Sequence, residues 1–133
     1  MQESNINIKL LKPITSDNDL IELAEHLNIH LDGIFLLSEI TKPLPKIGSY
    51  LILLEKPELS IGHWVAVYNN TYSDSMGAAP PEVLKIKNYI HKQWQGTYSN
   101  YCGIWALLYL YAKQKNKMYL FDQFKNLNNS DFE

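Results

Sequence analysis

Apolar positions along the chain fall into two kinds of run, one at helical spacing and one nearly continuous. Leu20, Ile21, Leu23, Ala24 and Leu27 recur at helical spacing behind Ser16-Asp17-Asn18-Asp19, which offers N-cap chemistry with an acid three places after Ser16. They predict an amphipathic helix to about Asn28, with Glu22, Glu25 and His26 on its polar face. Ahead of it, residues 1–15 alternate loosely (Ile6, Ile8, Leu10) as far as Lys12-Pro13, a short strand or extended arm. Ile34-Phe35-Leu36-Leu37 reads as a brief strand entering a loop that passes Pro43 and Pro45.

Two stronger strands follow, Ser49 to Leu54 and His63 to Tyr68. Asn69-Asn70 suits a hairpin turn into Thr71-Tyr72-Ser73-Asp74. Three consecutive strands predict a small antiparallel sheet. After a loop from Gly77, Pro81 suits the first position of a helix through Val83, Leu84, Ile86 and Ile90. From Ile104 to Ala112 every residue is apolar or aromatic, and a helix of that kind belongs at the centre of a domain. Thr97, Ser99 and Asn100 before it are turn and N-cap types, and Lys113, Lys115 and Lys117 collect at its far end, where cations suit the helix dipole. Residues 118–127 form a last short helix, and Asn128 to Glu133 is a frayed tail. The fold class is therefore α+β, a central helix packed on a small antiparallel sheet.

Composition narrows this picture. The 133 residues make one domain, 1–133, with the apolar content and modest charge of soluble globular proteins. No apolar run approaches the roughly 18 residues that span a bilayer, so no membrane partner is expected. Met1-Gln2-Glu3-Ser4-Asn5 lacks a signal-peptide pattern, which argues against secretion. Twelve basic against fourteen acidic residues, with no basic block, suggest no nucleic-acid surface. The single cysteine excludes an internal disulfide and fits a reducing compartment.

That cysteine, Cys102, opens the central helix. A thiol in the first helical turn faces unpaired backbone N–H groups, which favour the nucleophilic thiolate. The plain alternative is a small buried hydrophobe. His63 heads an apolar strand, from which it can reach a helix N-terminus and take the cysteine proton. Asp74 lies eleven residues later, across the turn, where neighbouring strands bring it close enough to orient an imidazole; its alternative is a turn or capping aspartate. His26, His30 and His91 read as surface histidines.

Gly62-His63-Trp64-Val65-Ala66-Val67-Tyr68, then Tyr72-Ser73-Asp74-Ser75-Met76-Gly77, then Gln95 through Cys102-Gly103, resembles the adenovirus-protease (adenain) group. The likeness is greatest to proteases of virophages, polinton-type elements and large DNA viruses, in a clan that includes the SUMO/NEDD8-specific proteases. It covers roughly Gly62 to Leu110, and Met76 stands where many relatives have an aromatic residue. The resemblance implies a papain-like fold, with Cys102 as nucleophile, His63 as general base and Asp74 orienting it. It also implies an oxyanion hole from the Gln95 side chain and the Cys102 backbone N–H. Trp64 would line a narrow substrate cleft admitting glycine beside the scissile bond, or serve as a core aromatic. Trp94, Tyr98 and Tyr101 either flank that cleft or pack.

The function so implied is a thiol endopeptidase that cleaves Gly-containing sequences in viral capsid or core precursors during particle maturation. It would act in host cytoplasm, viral factory or virion, with no cofactor and no metal. Two alternatives are an isopeptidase acting on ubiquitin-like tails, as deubiquitinases and deSUMOylases do, and a catalytically dead binding module.

Overall fold

The computed structural model describes residues 17–54, 62–94 and 101–123. Helix α1 spans Asp17–His26 and helix α2 spans Cys102–Gln114. Between them run five strands: β1 (Gly33–Leu36), β2 (Ser49–Leu54), β3 (His63–Tyr68), β4 (Thr71–Ser73) and β5 (Asn88–Tyr89). They form one sheet in sequence order, β1-β2-β3-β4-β5. The architecture is α+β. No helix among the described residues is long and apolar enough to cross a membrane.

The sheet is mixed, where the sequence predicted an antiparallel one. The three central strands are antiparallel, but β1 runs parallel to β2 and β5 parallel to β4. The added strands have only four and two residues, too short to show a period of their own.

The predicted helix from Pro81 is also absent. Glu82–Leu84 makes a single 3₁₀ turn, and Lys85 ends it in the left-handed region at φ 57°. Leu84 and Ile86 bury against Val65, Val67 and Tyr72, covering one sheet face. Chain pairing with β4 then takes over, and the Ile90 N–H donates to the Tyr72 carbonyl at 2.9 Å. Apolar spacing here serves a sheet face, so tertiary burial overrides the local pattern. The last predicted helix is a 3₁₀ segment over Met118–Gln123. The expected arm at 1–15, the Ser16 cap, the Thr97, Ser99 and Asn100 cap candidates, and the tail from Asn128 lie outside the described residues.

Alternation in the central strands assigns the two faces. Tyr50, Ile52, Leu54, Val65 and Val67 look one way. Leu51, Trp64 and Ala66 look the other, onto α2 and α1. Both faces are covered, which is why β2 and β3 read as unbroken apolar runs.

The hairpin joining β3 to β4 is set by its two asparagines. Asn69 and Asn70 have φ of 47° and 67°, the paired positive values that a type I′ turn demands and asparagine tolerates. Asn69 is also tied to Gly48, N–H to carbonyl at 2.8 Å and side-chain oxygen to N–H at 3.0 Å. The turn is thereby fastened to the start of β2.

Helix α2 is held at both ends. At its N-terminus a Cβ on Gly103 would come within 3.0 Å of Leu20 and 3.2 Å of the Trp64 ring. Glycine after the cysteine therefore lets the helix close onto α1 and β3. At its C-terminus the Gln114 amide donates to the His30 carbonyl at 2.6 Å and to Ser49 Oγ at 2.8 Å, and accepts the His30 N–H at 2.8 Å. Asp32 completes this clamp by accepting the Ser49 N–H and the His30 ring contact, which together hold its carboxyl below the usual range.

Candidate active site

Cys102, His63 and Asp74 come together in a line. His63 Nδ1 lies 3.0 Å from Cys102 Sγ, and His63 Nε2 lies 2.7 Å from Asp74 Oδ1. Each comes from a different element. Cys102 is the first residue of α2, His63 the first of β3, and Asp74 follows β4 directly. All three are buried, at 1, 0 and 1% exposure.

Local structure explains the convergence. The Tyr101 cap adopts φ −93°, ψ 0° and its side chain makes no capping bond to the helix end beside Cys102. His63 pairs with Leu54 at the last rung of the β2–β3 ladder, where the strand end leaves its ring able to turn toward the helix. Asp74 begins a tight turn. Its Oδ1 accepts the Met76 N–H at 2.8 Å, and its carbonyl accepts the Gly77 N–H at 2.7 Å. Gly77 sits at φ +79°, and a Cβ there would meet the backbone of His91 and Lys92 at 3.2–3.3 Å. The Trp94 N–H to Ser75 carbonyl bond, at 2.9 Å, holds the other side of this loop.

The electrostatics follow from that geometry. Burial disfavours a charged His63, but the Asp74 and Cys102 hydrogen bonds outweigh it and push its pKa up from 6.5 to about 9. The imidazolium is therefore the form the site stabilises at neutral pH. An imidazolium beside a sulfur is the arrangement in which a thiolate persists.

Trp64 is 5% exposed, belongs to the core with Leu51 and Ala66, and also lines a groove. Trp94 packs in the core, its ring 4.6 Å from that of Phe121. Tyr101 is half-buried as the helix cap. His26, His30 and His91 are exposed, His30 being paired with Asp32 at 2.8 Å. Gln95 and Tyr98 lie outside the described residues. Sequence reasoning missed the turn bonds at Met76 and Gly77 and the Gln114 clamp. An Asp-x-x-Gly turn pattern signalled the first, whereas nothing local signals a glutamine whose partners are 65 and 84 residues away.

No protein-family model, curated protein or solved structure matches the chain.

Proposed function

We propose that the chain is a thiol endopeptidase of the adenovirus-protease type, with a papain-like arrangement in which a helix carries the nucleophile and a sheet carries its base. The observation that carries this reading is the buried hydrogen-bonded line from Cys102 through His63 to Asp74. A core cysteine packed as a hydrophobe has no need of an imidazole at 3.0 Å, nor that imidazole of a carboxylate behind it.

In the proposed reaction the Cys102 thiolate attacks the scissile carbonyl carbon, and the electron pair moves onto the carbonyl oxygen. The Cys102 N–H and the Gln95 side-chain amide receive that oxyanion, in the roles the sequence resemblance gives them. His63 donates its proton to the leaving amine, and a thioester remains. His63, now neutral, takes a proton from water, whose oxygen attacks the thioester and releases the acid and the thiolate. Asp74 fixes the tautomer that presents Nδ1 to sulfur and stabilises the imidazolium. The substrates proposed are Gly-containing segments of viral precursors.

The deciding experiment is mass-spectrometric mapping of cuts in a proteome-derived peptide library, with Cys102→Ala as the blank. Cuts clustered at glycine and absent from the blank support the reading. Identical spectra for the two proteins would overturn it.

A further inference from the structure

Trp64 forms one end of a groove of about 400 Å³ that the catalytic residues leave unused. Its apolar wall comes from Ile34, Phe35 and Leu36 of β1 and Leu53 of β2. Its remaining lining among the described residues is acidic, Asp17 at the start of α1 and Glu39 in the turn after β1. β1 is the outermost strand, and its far edge pairs with no strand among the described residues. The groove adjoins the reaction centre at Trp64, which follows His63 in sequence and meets Gly103, the neighbour of Cys102.

The carboxylates give the groove its sign. Both are exposed, and neither has an ion-pair partner among the described residues. Glu39 accepts the Leu36 N–H at 2.8 Å, and among the described residues no lysine, arginine or histidine lines the groove. An apolar side chain laid here would cover the wall but strip water from two carboxylates, which is costly. An acidic one would be repelled. A lysine or arginine satisfies both parts, its aliphatic stem on Phe35, Leu36 and Leu53 and its cationic head between the carboxylates.

We propose that this groove is a specificity subsite for a basic side chain of the polypeptide substrate, a few residues from the scissile glycine; this rests on the peptidase reading. An extended substrate advances about 3.3 Å per residue, so a chain crossing Trp64 enters the groove within a few positions of the cut bond.

The test uses the full chain and a fluorogenic Gly-containing peptide that it cleaves and Cys102→Ala does not. Single lysines are placed at each of several positions on both sides of the cut and compared with norleucine at the same position. One position should favour lysine in kcat/KM by about fivefold, the scale of partly exposed ion pairs. The ratio should fall to about one in Asp17→Asn/Glu39→Gln, and Asp17→Lys/Glu39→Lys should prefer glutamate over glutamine there. Each ratio is internal to one sample, so partial unfolding cancels. Cleavage with no lysine-preferring position, or a preference that survives the double substitution, overturns the subsite alone. Failure to cleave any peptide overturns the peptidase reading and the subsite with it.

Discussion

His63 and Asp74 share a single carboxylate oxygen with the backbone: Asp74 Oδ1 is 2.7 Å from His63 Nε2 and 2.8 Å from the Met76 nitrogen. The turn thus aims the carboxylate before the imidazole binds it. Asp74→Asn can keep that shared oxygen as an acceptor but removes the charge that supports the imidazolium. Turnover should fall by about 10⁴-fold, less than for His63→Ala, which should approach loss of the nucleophile itself. Steady-state kcat on a Gly-containing peptide checks the order, and an Asp74→Asn enzyme as fast as wild type would remove Asp74 from the site.

Cys102→Ala should abolish turnover and leave unfolding cooperative. The residue begins a helix whose stability comes from the burial of Leu107, Leu108 and Leu110, and alanine is the best helix former. Peptide turnover and a thermal melt on the same sample decide it.

Gln95→Ala should lower kcat by about 10²–10³ with little change in KM, as loss of an oxyanion donor does. Alkylation of Cys102 by iodoacetamide should persist, because it forms no oxyanion. Equal loss of both would assign Gln95 to folding instead.

The pH dependence has a definite sign. The His63 pKa is raised in the folded state, from 6.5 to about 9, so its stabilising contribution is full below pH 6.5 and is lost as pH rises through about 9. The melting temperature of wild type relative to His63→Ala should therefore decline across that interval. Peptide turnover should also fall above about pH 9, where His63 no longer carries the proton for the leaving amine, while alkylation continues. An alkaline turnover limb centred near pH 6.5 instead would mean that His63 is not held protonated by its partners.

Gly77→Ala should destabilise the fold by about 1–3 kcal/mol, since alanine is strained at φ +79° and would press on the backbone of Lys92. Because this turn carries Asp74, kcat should fall as well, and thermal melts with kinetics below the melting point separate the two effects.

Much of this was legible in sequence for identifiable reasons. β2, β3 and α2 are unbroken apolar runs told apart by their lengths and flanking residues, and Asn69-Asn70 states its own turn type. The histidine, aspartate and cysteine were found through the order of their motifs, and the structure brings those three to hydrogen-bonding distance. What escaped depends on distant partners. β5 exists because β4 has a free edge, and Ile86 turns inward because a sheet face lies there to be covered. The groove at Trp64 draws on α1, β1, β2 and β3 at once, and no window of sequence contains it.

The asparagine turn far from the sulfur has a consequence for how this chain can vary. It sets the pairing Tyr68 with Thr71 and Ala66 with Ser73, and through that ladder the placement of Asp74 beside His63. Replacing either asparagine by glycine keeps the count and the positive φ. Inserting one residue slips the register by one, turns Tyr72 to the opposite face and rotates Asp74 to the wrong side of the sheet. The interval of eleven residues between histidine and aspartate is therefore a mechanical dimension of the site. Mutation can alter the residues within it far more readily than their number.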